Sequence, residues 1–264
     1  MEGAPSTLPA APFTPLRSVP YPRRGRGRIP ALPLTDWLRP EEWAALRLSL
    51  LVAATATAGS LVPGIAVAYL LARGRFPGKW LVDTIVHLPL ILPPVVTGYL
   101  LLIWFGRRGV FGAFLADVLG IVLSFRWTGA ALACGIMGFP LLVRAIRLSL
   151  EAVDRRLEEA AGTLGANRAS VFAVVTLPLI LPGILAGLVL CFAKAMGEFG
   201  ATITFVSNIP GETQTLPSAI YTLTQVPGGE AGAMRLTLVS IGVSMAALAM
   251  SELLARGLAR RLAG

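Results

Sequence analysis

The residues that could carry out chemistry in this chain are few, and none of them forms a catalytic set. The single histidine, His87, follows Asp83 by four residues, which predicts a local pair on one helix face. The segment from Gly74 to Trp80, GRFPGKW, resembles a phosphate-binding loop. However, it has one residue too few between its glycines, and Trp80 stands where such a loop needs Ser or Thr. We therefore predict that the chain is not an enzyme and does not itself bind ATP.

Two thiols remain as candidate ligands or redox groups. Cys134 and Cys191 both lie in apolar stretches, with no second Cys or His at a metal-binding spacing. We expect both to be buried core thiols, and we predict no metal site and no cofactor.

Polar residues that could serve an ion pathway surround the end of the fourth apolar stretch. Hydroxyl and amide groups can hold a passing ion without trapping it as a fixed charge would. Lys194 and Glu198 are four apart, so they can pair on a continuing helix. The alternatives are an interfacial ion pair and an external loop that contacts a partner protein, as the acids Glu212 and Glu230 suggest. The predicted pore or gate residues are Lys194, Glu198, Thr202, Thr204, Ser207 and Asn208.

The elements that position these residues are predicted to be membrane helices. Of 264 residues, 55% are apolar and only 14% are charged, and the mean hydropathy is +0.72, which excludes an ordinary soluble domain. The segment 109–125 has Asp117 at its centre and is predicted to be an external amphipathic or re-entrant piece. A span needs roughly 20 apolar residues. Five predicted spans meet or approach this length, at 48–72, 84–106, 127–143, 169–193 and 236–251.

Positive charge predicts which side of the membrane each loop occupies. Lys and Arg concentrate after the first and third spans, at 73–79 and 144–168, which places these loops in the cytoplasm. The segment 199–233 has no Lys or Arg and is predicted to lie outside. We therefore expect a multi-pass protein of the bacterial cytoplasmic membrane, with its N-terminus outside and its C-terminus inside. The net charge of +9 is thus assigned to membrane topology, and no nucleic-acid partner is predicted.

The first 35 residues differ in composition from the rest. They carry eight prolines and the run RRGRGR at 23–28, with no apolar segment long enough for a signal peptide. We predict a disordered extension at 1–35 and a membrane domain at 36–264. The alternative is a translation start downstream, near Leu32.

The loop between the third and fourth spans is predicted to hold a short cytoplasmic helix. Leu150, Val153, Leu157 and Ala161 would share one of its faces, and Gly162 and Gly165 would break it. A helix of this kind can seat itself in a groove of another protein and transmit motion. The alternative from periodicity alone is an ordinary basic connector.

This loop also carries residues that resemble a known family. Glu159-Ala160-Ala161, three further residues, Gly165 and then Val175-Thr176-Leu177-Pro178 resemble the EAA signature of permease subunits in binding-protein-dependent ABC importers. The departure is Val175, where Ile is usual. The resemblance implies an all-α membrane protein of the type I ABC importer fold with a coupling helix at about 151–168, which docks on a separate ATPase. The residues implied in this contact are Arg155, Arg156, Glu158, Glu159, Ala160, Ala161 and Gly165.

Further segments resemble the molybdate permeases within that family. They include HLPLILPPVVTGYLLL at 87–102 and AMGEFGATITFVSNIPGETQTLPSAIYTL at 195–223, and the resemblance covers roughly 36–264. It implies a homodimer of this chain, two cytoplasmic ATPase subunits and an external oxyanion-binding protein, importing molybdate or tungstate. Sulfate or thiosulfate import is the alternative within the family. A gradient-driven carrier is the alternative outside it, and the EAA signature disfavours that carrier.

Overall fold

The computed structural model describes residues 37–263, with side chains described as far as Met250 and at Leu253. The chain divides between Trp37 and Leu38, and the architecture below is that of the second unit. The predicted extension at 1–35 lies outside the described residues. Within those residues there are no strands, and the α-helices are α1 Pro40–Arg73, α2 Lys79–Ile91, α3 Pro94–Phe105, α4 Val110–Leu119, α5 Trp127–Ala152, α6 Arg155–Thr163, α7 Arg168–Val171, α8 Leu177–Met196, α9 Gly200–Val206, α10 Leu216–Gln225 and α11 Glu230–Ala263.

Four of these elements are long and apolar enough to cross a membrane. They are α1, α5, the continuous stretch Arg168–Met196 and the first 21 residues of α11, and they confirm the first, third, fourth and fifth predicted spans. Each helix extends beyond the predicted apolar stretch. The extension past Arg144 and Arg147 is possible because Arg144 is exposed and Arg147 has acidic partners.

The second predicted span, 84–106, is not one continuous helix. It forms two helices, α2 and α3, whose axes differ by 115°. Pro93 and Pro94 lack the N–H groups that would continue α2, and each proline disfavours helical geometry in the residue before it. The chain therefore breaks at Leu92, whose ψ of 142° is extended.

The broken pair still connects the two ends of the bundle. Asp83 in α2 pairs with Arg147, near the C-terminal end of α5. Residues 102–109, at the end of α3 and beyond it, line the same cavity as Arg126, which precedes α5. The pair α2–α3 thus runs back along the length of α5. The helix α4 has ten residues, about half of the 20 that a span needs, as predicted for 109–125.

Two long-range ion pairs mark the ends of the bundle. At one end, which we call the α6 end, Arg73 at the close of α1 pairs with Glu158 of α6. At the opposite end, the α9 end, Glu42 in the first turn of α1 pairs with Arg235 near the start of α11. Since α1 and α11 both start at the α9 end and run away from it, the chain traverses the bundle five times when α2–α3 is included.

The core lies where α5 packs between α1 and α8. A Cβ atom at Gly183 would collide with Ser149, and one at Gly187 would lie 2.9 Å from a Leu142 methyl carbon, so the two backbones approach closely only because both residues are glycine. Cys134 and Cys191 are free and buried in this region, as predicted. The Cys134 thiol lies 3.5 Å from the carbonyl oxygen of Ala195.

Candidate functional site

A short helix, α6, lies within the segment predicted to couple to the ATPase, and it is separate from α5. Helix α5 continues to Ala152, Val153 is extended, and α6 begins after Asp154, whose carboxylate accepts a hydrogen bond from the Arg156 N–H at 2.9 Å. Leu150 and Leu157 therefore belong to different helices. The prediction that they share one helix face is wrong, because α5 ends between them and Asp154 caps the start of a new helix.

Gly165, and not Gly162, ends this helical segment. Gly162 lies within α6, whereas Gly165 has a φ of +87°, a left-handed conformation that glycine adopts without strain. The N–H of Gly165 donates to the Gly162 carbonyl, and the next N–H donates to the Ala161 carbonyl. These bonds satisfy carbonyls at the end of α6 and turn the chain towards α7.

Glu158 ties α6 to the rest of the bundle. Its Oε1 accepts a hydrogen bond from Arg73 Nη2 at 3.1 Å and another from Thr176 Oγ1 at 2.9 Å. Arg73 Nη2 also lies 3.3 Å from the carbonyl oxygen of Val153. The side chains of Arg73 and Glu158 are only 12% and 18% exposed, so this pair is far better shielded than a surface ion pair. The contact links α1, α6 and the start of the fourth span.

The remaining residues of the signature present an open face. No residue of α6 is buried; Arg155, Glu159 and Ala160 are exposed, and Ala161 is half-buried. Within the part of the chain that the structure describes, Glu159 has no salt-bridge partner. The structure therefore separates two neighbouring glutamates that the sequence treats alike, since Glu158 faces the bundle and Glu159 faces outwards.

The second half of the signature forms an irregular turn at the start of the fourth span. Phe172–Thr176 is π-helical, and the N–H of Leu177 donates to the carbonyl of Phe172, five residues earlier. Pro178 lacks the N–H that a regular helix would use at the next position. Single π-helical turns are frequent at functional sites. Here the turn carries the Thr176 hydroxyl that reaches Glu158.

The predicted pore residues make defined contacts within the bundle. Lys194 and Glu198 pair as predicted, at 2.7 Å between Nζ and Oε2, but not on a continuing helix, because α8 ends at Met196. The Glu198 side chain is 1% exposed, and its other oxygen accepts the Ala201 N–H at 3.0 Å. Glu198 thus joins the end of α8 to the first turn of α9 and is too deeply buried to be a snorkelling residue.

The hydroxyl and amide residues of α9 have local partners. Thr202 Oγ1 donates to the carbonyl of Phe199 at 2.9 Å, and Thr204 Oγ1 donates to that of Gly200 at 2.8 Å. Asn208 Nδ2 donates to Thr222 Oγ1 at 2.7 Å, whereas its Oδ1 has no partner among the residues that the structure describes. Ser207 ends α9 with a φ of +67°.

Helix α9 is an integral part of the bundle. Four of its seven residues are buried, among them Phe205 and Val206. A Cβ atom at Gly98 of α3 would collide with the backbone of Ala201, so α3 and α9 lie in close contact. This burial is not what the alternative of an external loop would lead one to expect for these residues.

Sequence reasoning missed two contacts that join distant parts of the chain. The predicted local pair is present, since His87 Nδ1 lies 2.8 Å from the backbone carbonyl oxygen of Asp83. The Asp83 carboxylate also accepts a hydrogen bond from Arg147 Nη1 at 2.9 Å, which was not predicted. Glu42 accepts both Nη2 and Nε of Arg235, at 2.6 Å and 3.3 Å. The partners are 64 and 193 residues apart, and no local spacing reports such pairs.

Comparison with known proteins adds a family and close relatives. Residues 64–261 match the family described as binding-protein-dependent transport system inner membrane component. The Escherichia coli K12 protein named molybdenum transport system permease protein ModB is 61% identical over 81% of this chain and 94% of its own length. Its namesake in Haemophilus influenzae is 53% identical over 84% and 96%.

More distant matches show how far the likeness extends. The sulfate transport system permease protein CysT of Salmonella typhimurium is 38% identical over 69% of this chain and 65% of its own length. A solved bacterial ABC transporter involved in alginate import matches with a TM-score of 0.64 at 19% identity, covering 87% of this chain and 82% of that chain. At that identity the structural match shows the shared fold.

Proposed function

The chain belongs to the family of binding-protein-dependent transport system inner membrane components, and we propose that it is the permease subunit of an ATP-driven molybdate importer. Tungstate is included in the cargo class because it has the same shape and charge. The chain would alternate between inward-open and outward-open states while a separate subunit hydrolyses ATP.

The observation that carries this proposal is the two-sided construction of the α6 end. Glu158, next to the signature, holds α6 to α1 and to the start of α8, whereas Glu159 lies on an exposed face and has no salt-bridge partner among the residues whose side chains are described. A helix with no buried residue gains little stability from its own packing. A partner seated on the exposed face would supply that packing, and Glu158 would pass the partner's motion to two membrane helices.

The proposed partners follow from the family and from this geometry. Two copies of the ATPase would dock on the α6 segments of a homodimer of this chain, with Arg155, Arg156, Glu159, Ala160, Ala161 and Gly165 at the contact. An external binding protein would deliver the oxyanion at the α9 end. This arrangement places the C-terminus and α6 in the cytoplasm and the N-terminus outside, consistent with the basic residues near α6.

The six predicted pore residues are better assigned to a gate than to ligands of the ion. Thr202 and Thr204 donate their hydroxyl protons to carbonyls of their own helix, so these hydrogens are not free to bind an oxyanion. Lys194 and Glu198 neutralise one another. We propose that α9 moves as a packed unit between α3 and α5, and that the Lys194–Glu198 pair sets its position relative to α8.

The test is ATPase activity of the complete complex in proteoliposomes, with external binding protein that is empty or loaded with molybdate, tungstate or sulfate. Stimulation by molybdate and tungstate alone is the expected result. Stimulation by sulfate alone would support an ATP-driven importer but would change the proposed cargo from molybdate to sulfate. An absence of association with any ATPase would overturn the proposal in favour of a gradient-driven carrier.

A further inference from the structure

The α9 end contains a cavity whose lining includes three arginines. It has a volume of about 790 Å³ and lies between the segment that follows α3 and the segment that precedes α5. Arg107 and Arg108 contribute from the first segment and Arg126 from the second, and Glu212 is the one acid in the lining. The three guanidinium groups and one carboxylate give the lining a formal charge of +2, opposite to that of a dianion.

The single carboxylate of the lining does not balance the charge of these three arginines. Among the described residues, neither Arg107, Arg108 nor Arg126 takes part in a salt bridge, although other arginines of the chain do. All three are exposed. These arginines also disfavour the orientation proposed for this chain, because Lys and Arg in short loops favour the cytoplasmic side of the membrane. Three arginines on that side, with one carboxylate in the same lining, favour a ligand that is itself an anion.

The backbone around the cavity adds to the positive field. Helix α4 starts after Gly109 and α5 after Arg126, and both of these residues line the cavity. Neither helix start has a side-chain cap, so N–H groups of the first turn remain available. The N-terminus of a helix carries a partial positive charge that favours anions.

The walls of the cavity are held in place by close backbone contacts. A Cβ atom at Gly109 would collide with the carbonyl oxygens of Ile103 and Trp104, and one at Gly129 with that of Leu123. Phe125, next to Arg126, has a φ of +58°, an unfavourable conformation for a residue with a side chain. Strain of this kind persists where the surrounding structure fixes it, often at binding sites.

We infer that Arg107, Arg108 and Arg126 form a binding site for a free tetrahedral oxyanion at the outer mouth of the permease; the cargo class rests on the proposed function. Guanidinium groups suit this ligand because each can donate two parallel hydrogen bonds to a pair of its oxygens. Solvent exposure keeps the attraction moderate and sensitive to salt, so the ion is collected but not trapped.

The experiment measures binding of radiolabelled molybdate to the complete permease–ATPase complex in phosphatidylcholine nanodiscs, without binding protein and without ATP. Arg126→Gln and the double variant Arg107→Gln/Arg108→Gln should each weaken binding by about tenfold, and raising the chloride concentration should weaken it further. Arg75→Gln, which removes an exposed arginine elsewhere, is the matched control and should bind like the wild type.

A variant that is expected to strengthen binding distinguishes a lost site from a misfolded protein. Glu212→Gln removes the one negative charge of the lining and should tighten molybdate binding several-fold, a gain that damage to the fold would not produce. Equal binding by Arg126→Gln and Arg75→Gln, or no binding by the wild type, would overturn the inference.

Two further measurements test whether the binding protein or a lipid phosphate, and not a free oxyanion, occupies the cavity. If the bare complex binds no molybdate and Arg126→Gln instead weakens its affinity for the binding protein, the arginines are a protein-docking surface and the inference is wrong. Loss of molybdate binding in nanodiscs containing phosphatidylglycerol would assign the cavity to lipid phosphate and would also overturn it. A bare complex that binds molybdate but whose ATPase ignores loaded binding protein would overturn the proposed function alone.

Discussion

Helices α6 and α9 are both short, and each is attached to the bundle through one glutamate, yet their surroundings differ. Glu158 holds α6 through Arg73 and Thr176, and Glu198 holds α9 through Lys194 and the backbone of Ala201. None of the nine residues of α6 is buried, whereas four of the seven residues of α9 are. The difference is that α9 packs within this chain, while α6 leaves open the face on which we propose that the ATPase docks.

The largest effect is expected where the attaching glutamate is itself inside the core. Glu198→Ala leaves the Lys194 ammonium and the Ala201 N–H without their acceptor, and should lower the free energy of unfolding by about 3 kcal/mol. Thermal unfolding of the detergent-solubilised complex measures this. Lys194→Met removes the cation and leaves the carboxylate buried, so it should also destabilise; an unchanged melting temperature in both variants would contradict the role given to Glu198.

The next largest effect is expected on ATPase stimulation, with no change in stability. Gly165→Asp and Glu159→Lys alter the charge of the exposed face of the α6 segment, and should lower ATPase stimulation by loaded binding protein by about tenfold, equivalent to 1.4 kcal/mol. Membrane insertion and the melting temperature should stay close to wild type. Gly165→Asn is the control, because asparagine tolerates the left-handed conformation and adds no charge. Normal transport by both charged variants would remove the coupling assignment.

A smaller effect distinguishes the two neighbouring glutamates of α6. Glu158→Gln weakens the shielded contact with Arg73 and should cost about 1 kcal/mol of stability, whereas Glu159→Gln should cost none. Thermal unfolding of the two variants, prepared in parallel, is the measurement. If Glu158 transmits motion, its variant should also hydrolyse more ATP for each ion transported. Identical melting temperatures and identical ratios would mean that the Arg73–Glu158 contact is incidental.

The smallest effect tests whether α9 holds the ion with its hydroxyl groups. Thr202→Val and Thr204→Val remove hydroxyls that donate to helix carbonyls, and should cost about 0.5 to 1 kcal/mol each with transport unchanged. Uptake of labelled molybdate into proteoliposomes measures the second part. A strong loss of uptake by a variant that folds normally would show that the threonines line the path of the ion.

Local patterns in the sequence were sufficient for the parts of the fold that depend on local physics. The lengths of the apolar stretches predict five spans, because burial in lipid requires that length of hydrophobic helix, and four of the five are continuous helices. The pairing of Lys194 with Glu198 follows from a separation of four residues, although the helix itself ends between them. Proline at 93 and 94 signals an irregularity in the second span, but the 115° angle depends on what α2 and α3 pack against.

The candidate site shows the same division. The spacing from Glu159 to Pro178 is enough to locate the segment that we propose as the partner contact, since the signature is a local property of the chain. The sequence places Glu158 beside Glu159 with no difference between them. Their opposite roles depend on where Arg73, 85 residues away, is brought by the packing of α1 against α5.

The sequence by itself determined the membrane class, the positions of the spans and the family, because hydrophobic length and motif spacing are local quantities. Only the tertiary structure decided which glutamate faces the bundle, that α9 is a packed helix, and that three arginines from two segments share one cavity. These features depend on contacts between residues far apart in the chain, and such contacts exist only after the helices have packed.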